Sequence, residues 1–248
     1  MGTFTANGPV DLVTFDLYDT LIELHPPRWE RLAEAARREG IVADPLTLRE
    51  ADRIGEDYFT EENGRLPIRD RDAEEREVFR LKLMRRWLEA AGLPHDPETT
   101  RRLRHAYMSE FDETPDFRHY RLFADVMPAL RTLRKAGLKT AVISNADSDV
   151  TAVCVHFAFA PLMDLIVTSA LVGYEKPDAR TYQAALEPLA VDPARALHVG
   201  DQPRSDIAGA RGVGMGAVLI DRYGRHNGAE IPTVGSLTEL ADKITASR

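Results

Sequence analysis

Val13-Thr14-Phe15-Asp16-Leu17-Tyr18-Asp19-Thr20-Leu21 decides how this chain is read. An apolar run from Val10 to Phe15 has the pattern of a buried parallel strand, and it delivers a carboxylate at its end. Such a carboxylate is costly unless something pairs with it. In an open α/β sheet the carboxyl ends of the strands are where ligands sit. Asp16 is therefore a candidate for chemistry rather than for scaffold.

Downstream of this stretch, Pro26-Pro27 breaks the chain, and the pattern from Arg28 to about Pro115 is helical. Trp29, Leu32, Ala33 and Ala36 share one face of a first helix, which Gly40 closes. Leu46–Tyr58 is a second candidate. Ala73–Ala91 is the strongest, with Val78, Leu81, Met84, Leu88 and Ala91 on one stripe and Glu74, Glu75, Arg76, Arg80, Arg85 and Arg86 facing water. Residues 97–111 give a fourth. No segment in this span reads as a strand.

From Phe123 the texture changes. Helices over Val126–Ala136, Val150–Phe157, Ala179–Leu189 and Ser205–Val213 alternate with strands over Leu138–Ser144, Leu165–Ser169, Ala196–Gly200 and Ala217–Asp221. That alternation predicts an α/β fold, a Rossmann-like doubly wound parallel sheet covered on both faces. The domain division expected is 1–21 with 119–248 for the α/β part and 22–118 for an all-helical insertion after the first strand. Residues 1–9 are expected to be a loose end.

Right-handed crossovers place the strand ends on one edge. The first strand ends with Asp16, Tyr18 and Thr20, and the second with Ser144-Asn145. A later loop holds Gly173-Tyr174-Glu175-Lys176-Pro177, and a further strand ends Gly200-Asp201, with Asp206 following. Asp16, Asp201 and Asp206 would repel one another without a cation. A hard divalent ion with oxygen ligands resolves this, and Mg²⁺ suits few carboxylates with room for water and a phosphate. Lys176, Ser144 and Thr20 add a point cation and hydroxyls that suit a phosphoryl group.

Taken singly these residues are bland. Ser144 and Asn145 pass for turn residues, Lys176 for an exposed loop lysine, Asp201 for a turn residue and Asp206 for a helix cap. Their recurrence at successive strand ends argues otherwise. His156 and His198 sit beside apolar residues and read as packed. No G-x-x-x-x-G-K-[ST] loop is present.

The bulk composition excludes several classes. Net charge is −8 with a pI near 5.4, against a general nucleic-acid binder. One cysteine, Cys154, rules out an internal disulfide, and its apolar neighbours predict a buried small hydrophobe. No secretory signal is evident, and the most apolar window, 150–174, carries Asp164, Pro161 and His156, unlike a membrane span. A cytoplasmic protein without membrane or nucleic-acid partners is expected, as monomer or homodimer.

Together, Phe15-Asp16-Leu17-Tyr18-Asp19-Thr20-Leu21, Ile143-Ser144-Asn145, Gly173 through Pro177, and Gly200-Asp201-x-x-x-x-Asp206-Ile207-x-Gly209-Ala210 resemble the haloacid dehalogenase superfamily of hydrolases. The insertion resembles that family's helical cap in the first position, which closes over the site. The resemblance implies Asp16 as nucleophile, forming an aspartyl-phosphate. It implies Mg²⁺ held by Asp16, the Tyr18 carbonyl and Asp201, with Asp206 as ligand or supporting partner. Ser144 and Lys176 would bind phosphoryl oxygens, with help from Thr20 and from amides near Tyr18 and Asn145. The substrate would be a small phosphorylated metabolite, selected by cap residues such as Arg28, Trp29, Tyr58 or Arg65, which serve equally as packing or surface.

One position departs from the usual phosphatase pattern. Tyr18 stands where the family commonly places a second Asp as acid and base, and a phenol is a poor base at neutral pH. Tyr in that place also occurs in the 2-haloacid dehalogenases, which need no metal, but those typically carry Ser-Asn where this chain has Gly200-Asp201. A catalytically weakened binding protein is the third reading.

Overall fold

The computed structural model describes residues 9–66, 68–109, 117–224, 226 and 231–246, with the backbone alone at 56, 60 and 69. Its strands are β1 (Leu12–Phe15), β2 (Ile22–Leu24), β3 (Tyr120–Leu122), β4 (Lys139–Ser144), β5 (Leu165–Thr168), β6 (Ala196–Gly200), β7 (Gly216–Ile220) and β8 (Thr233–Val234). Six of them form one sheet in the order β5-β4-β1-β6-β7-β8, and every neighbouring pair is parallel. The strand runs are apolar without alternation because both faces are covered. β1, β6 and β7 are buried at every position.

β1 is central. Phe15 lies level with Val142 of β4 and Val199 of β6. Just beyond that level, within three residues, Asp16, Ser144-Asn145 and Gly200-Asp201 leave three adjacent strands at one edge. Position in the sheet, not proximity in sequence, assembles the site.

Four helices make up most of the insertion: α1 (Arg28–Arg38), α2 (Pro45–Arg65), α3 (Ala73–Ala90) and α4 (Pro97–Met108). Asp44, Asp72 and Asp96 cap the last three with their side chains, and Glu75 completes a capping box with Asp72. The α/β part adds α5 (Val126–Lys135), α6 (Thr151–His156), α7 (Ser169–Val172), α8 (Ala179–Leu189), α9 (Gly209–Gly212) and α10 (Leu237–Ala246). Tyr182, Ala185 and Leu186 of α8 and Ala210 of α9 pack on Leu12, Ile143, Val167 and Leu219 of the sheet. Val13, Phe15 and Val142 point to the opposite face and are fully buried. The chain divides into two compact units, Met1–Glu23 with Tyr120–Arg248, and Leu24–His119.

Several expectations are corrected. Val78 is 45% exposed; the expected Met84 and Leu88 are buried, and Phe79 and Trp87 join them. Tyr58 stacks on Phe79, and Trp87 Nε1 donates to the Leu48 carbonyl at 2.8 Å, which turns the helix onto its aromatic side. α2 runs on to Arg65 rather than ending at Tyr58. The fourth helix ends at Met108, and residues 110 and 111 of its expected span lie outside the described residues, as do residues 1–8 of the expected loose end. The expected helix 205–213 is a π-helix over Pro203–Ala208 that runs into α9. His156 is exposed against Phe157 rather than packed inside. The β2–β3 ribbon, β8 and α10 were not foreseen. Cys154 is buried. Among the described residues no helix is long and apolar enough to cross a membrane.

Candidate active site

The strand-end carboxylates converge. Asp16, Asp201 and Asp206 each offer an oxygen within 4.8 Å of the others. Asp206 is buried and Asp16 nearly so, while Asp201 is half-exposed. Lys176 joins them from the loop after α7. Its Nζ donates to Asp16 Oδ1 and to Asp206 Oδ1, both at 2.6 Å, with its side chain almost wholly buried.

The Lys176 loop is held from β4. Asn145 Nδ2 donates to the Lys176 carbonyl at 2.9 Å, and the Lys176 N–H donates to Asn145 Oδ1 at 2.8 Å. The side-chain amide of Asn145 is thus committed to the backbone of Lys176. Ser144 and Thr20 are fully buried, and Ser144 Oγ and Thr20 Oγ1 find no partner among the described residues. Buried hydroxyls are rarely left unsatisfied without a reason.

Gly200 makes the convergence possible. A Cβ there would lie 2.2 Å from Asp206 Cγ, so the last residue of β6 must lack a side chain for Asp206 to reach the cluster. Gly209 does the same for the π-helix. A Cβ there would meet Tyr182 Oη at 2.5 Å and Pro177 Cα at 3.0 Å.

One lysine cannot neutralise two buried carboxylates. Burial pushes Asp16 up to about 7, opposed by the charge of Lys176 and reinforced by that of Asp206. Burial acts on Asp206 too, but Lys176 and His198 overcome it and hold that carboxyl below its ordinary range. Burial works against the charge on Lys176, and the two carboxylates more than restore it. The pair of aspartates is therefore split, with Asp206 the fixed anion and Asp16 the one near neutrality.

His198 is a site residue that sequence reading missed. It is wholly buried on β6, level with Thr14 of β1. Thr14 Oγ1 lies 2.8 Å from Nδ1, and Nε2 lies 3.3 Å from Asp206 Oδ1. With the Thr14 hydroxyl donating to Nδ1, Nε2 carries the proton and donates to Asp206. Burial lowers the imidazole pKa and keeps the ring neutral. The Gln202 N–H donates to the other oxygen, Asp206 Oδ2, at 2.9 Å. The available signal was parity. His198 is two residues before Gly200 and shares its face of the strand.

Tyr18 lies beside Tyr120, ring centroids 5.6 Å apart. Burial, then the neighbouring Tyr120 and Asp16, push its phenol well above the usual tyrosine range. Its hydroxyl is a neutral group at any working pH. Of the residues named for substrate choice, Arg28 pairs with Asp52, Trp29 is buried, Tyr58 stacks on Phe79 and Arg65 pairs with Glu61 and Glu62.

A family model described as a haloacid dehalogenase-like hydrolase matches residues 10–214. The chain belongs to that family. Haloacid dehalogenase-like hydrolase domain-containing protein 3 of Mus musculus is 30% identical over 214 residues, covering 84% of this chain and 81% of that protein. A phosphoserine phosphatase of Thermus thermophilus is 34% identical over 166 residues, 65% of this chain and 64% of that protein. Among solved structures, the 2-haloacid dehalogenase of Pseudomonas syringae matches with a TM-score of 0.56 and 25% identity, over 96% of this chain and 100% of that one. The family's fold thus serves both phosphatases and dehalogenases, and the reaction must be argued from the strand ends.

Proposed function

We propose that this hydrolase cleaves a small organic phosphomonoester with Mg²⁺, through an aspartyl-phosphate on Asp16. The observation that carries the reading is the all-oxygen cluster of Asp16, Asp201 and Asp206 around a buried lysine. A halide displacement has no use for the second and third carboxylates. A hard divalent ion does, and the donor set fits Mg²⁺, with Asp16, the Tyr18 carbonyl, Asp201 and Asp206 as the residues to hold it. When bound, the ion offsets the cluster's negative charge and draws electron density from a phosphoryl oxygen.

In this reading Ser144 Oγ, the Asn145 N–H, Thr20 Oγ1 and Lys176 Nζ orient the phosphoryl oxygens. A carboxylate oxygen of Asp16 bonds to phosphorus as the ester oxygen leaves with the electron pair of the broken bond. Water then attacks the aspartyl-phosphate, releasing inorganic phosphate and restoring Asp16. Lys176 opposes the effect of burial on Asp16, favouring the carboxylate needed for attack, and keeps it placed for both steps. Tyr18 gives little proton transfer, so the favoured substrates are those whose leaving oxygen departs unaided, such as aryl phosphates. The helical unit is the cap in this reading, the setting is cytoplasmic, and the partner is a small phosphorylated metabolite, with the chain a monomer or homodimer.

The test is phosphate release from para-nitrophenyl phosphate with Mg²⁺ and with chelator, beside chloride release from 2-chloropropionate without metal. Mg²⁺-dependent phosphate release that is lost in Asp16→Asn is expected. Metal-independent chloride release would overturn the proposal in favour of a dehalogenase, and neither activity would favour a binding protein.

A further inference from the structure

Arg222 follows β7 at the same sheet edge as the carboxylates, yet it touches none of them. Its side chain is 6% exposed and that of its partner Asp125 16%. Nη1 donates to Asp125 Oδ2 at 2.6 Å, and Nη2 donates to the Thr20 carbonyl at 2.7 Å. The guanidinium lies 4.1 Å from the ring centroid of Phe123. Asp125 Oδ2 also accepts from the Leu237 N–H at 2.7 Å. Next in the chain, the Tyr223 hydroxyl lies 3.3 Å from both Asp19 Oδ1 and Glu23 Oε2.

As a source of stability this arrangement is poor. Asp125 Oδ1 and Arg222 Nε are buried without a partner among the described residues. A buried ion pair of this kind is often replaced by apolar side chains at no loss. An apolar side chain, however, cannot hold a carbonyl oxygen at a fixed point. The carbonyl held here closes the Asp16–Thr20 segment. That segment is a tight turn in which the Asp19 N–H donates to the Ile22 carbonyl at 2.7 Å. The N–H groups of Leu21 and Ile22 both donate to the Leu17 carbonyl, at 2.8 and 3.0 Å. Asp19 sits at φ 55°, a left-handed conformation that residues other than glycine keep only where their surroundings impose it.

We propose that Arg222, assisted by Tyr223, is a positioning residue that pins this turn through the Thr20 carbonyl and the Asp19 carboxylate, and so fixes where Asp16 meets its substrate. The catalytic half of the proposal rests on the hydrolase reading above, and the pin itself does not. Hydrogen exchange at the Asp19, Leu21 and Ile22 amides reads the pin directly. In Arg222→Met these three are expected to exchange about 10-fold faster or more, with β6 and β7 unchanged. On para-nitrophenyl phosphate kcat should fall about 10- to 100-fold. KM should stay within about threefold of wild type. Arg222→Lys, which reaches one of the two partners, should lie between.

Unchanged exchange in the turn of a folded Arg222→Met protein would overturn the pin. A loosened turn with unchanged kcat would overturn its catalytic consequence. If Arg222→Met does not fold, Tyr223→Phe carries the same test, and about threefold faster exchange at Asp19 is expected. A wild-type enzyme inactive on phosphate esters, with the turn still loosened in the variant, would remove the phosphatase reading and leave the pin standing.

Discussion

The two units spend their charges differently. In the helical unit the ion pairs are mostly short-range and wet. Glu34 meets Arg37 and Arg38, and Arg65 meets Glu61 and Glu62, each three or four residues away on an exposed helix face. Such pairs stiffen a helix and keep it soluble, and each contributes little. In the α/β unit Lys176 reaches Asp16 and Asp206 across the fold, and all three are buried. There the charges fix positions, at a cost in desolvation. The same residue types thus serve mostly local solvation along the inserted helices and long-range geometry in the Lys176 cluster.

The strongest way to break this contrast is Lys176→Met. It leaves two buried carboxylates without their shared cation. A loss of about 3 kcal/mol in stability is expected, measured by denaturant unfolding. Turnover on an aryl phosphate should fall about a thousandfold in the same variant.

Gly200→Ala comes next. The new methyl would occupy the space of Asp206. With nothing charged removed, kcat should still drop about 100-fold, because the carboxylate must move. Retention of full activity would mean that Asp206 has no fixed place in the reaction.

Titration sharpens the comparison further. Burial pushes Asp16 up to about 7, above its unfolded value of 3.8. Between those values the folded protein binds the extra proton, so the contribution of Asp16 to stability is greatest in acid and is lost as pH rises through about 7. Asp16→Asn removes this effect. The Tm of that variant, relative to wild type without metal, should therefore climb from about pH 5 to about pH 8, and Mg²⁺ should narrow the gap. A gap that is flat with pH would show that Lys176 fully holds Asp16 ionised.

The smallest effect belongs to the helical unit. Glu34→Ala removes an exposed carboxylate with two arginine neighbours. A change in stability within about 0.5 kcal/mol and unchanged turnover are expected. A large loss would put this surface on the same footing as the cluster.

Asp16, Ser144, Lys176, Asp201 and Asp206 were legible because each polar group breaks or follows an apolar run in a chain that alternates strand and helix. The parallel order then brings their positions together. His198 was hidden for the opposite reason. It sits inside such a run, and a buried imidazole looks like packing until its partners on β1 and in the π-helix are known. Arg222 has no local signature at all, since its partners Asp125 and Thr20 lie 97 and 202 residues away in the chain. The misplaced stripe of α3 has a simpler cause. Val78 fits the helical period with Leu81 and Leu88 better than Phe79 does, and it is the aromatic contacts with α2 that bury Phe79 instead. The β2–β3 ribbon and β8 are too short for any periodic pattern to register.

The central place of β1 also dictates an order of assembly. Leu12 pairs with Lys139 on one side and Ala196 on the other, so β1 has no neighbour in the sheet until the whole insertion and α5 have been made. The helical insert, whose ends meet where the His25 N–H donates to the His119 carbonyl at 2.7 Å, can fold in the interval and shorten the loop that must close. A nascent chain halted before β6 would carry Asp16 on a strand with one edge bare, a state open to pairing with other chains until synthesis resumes.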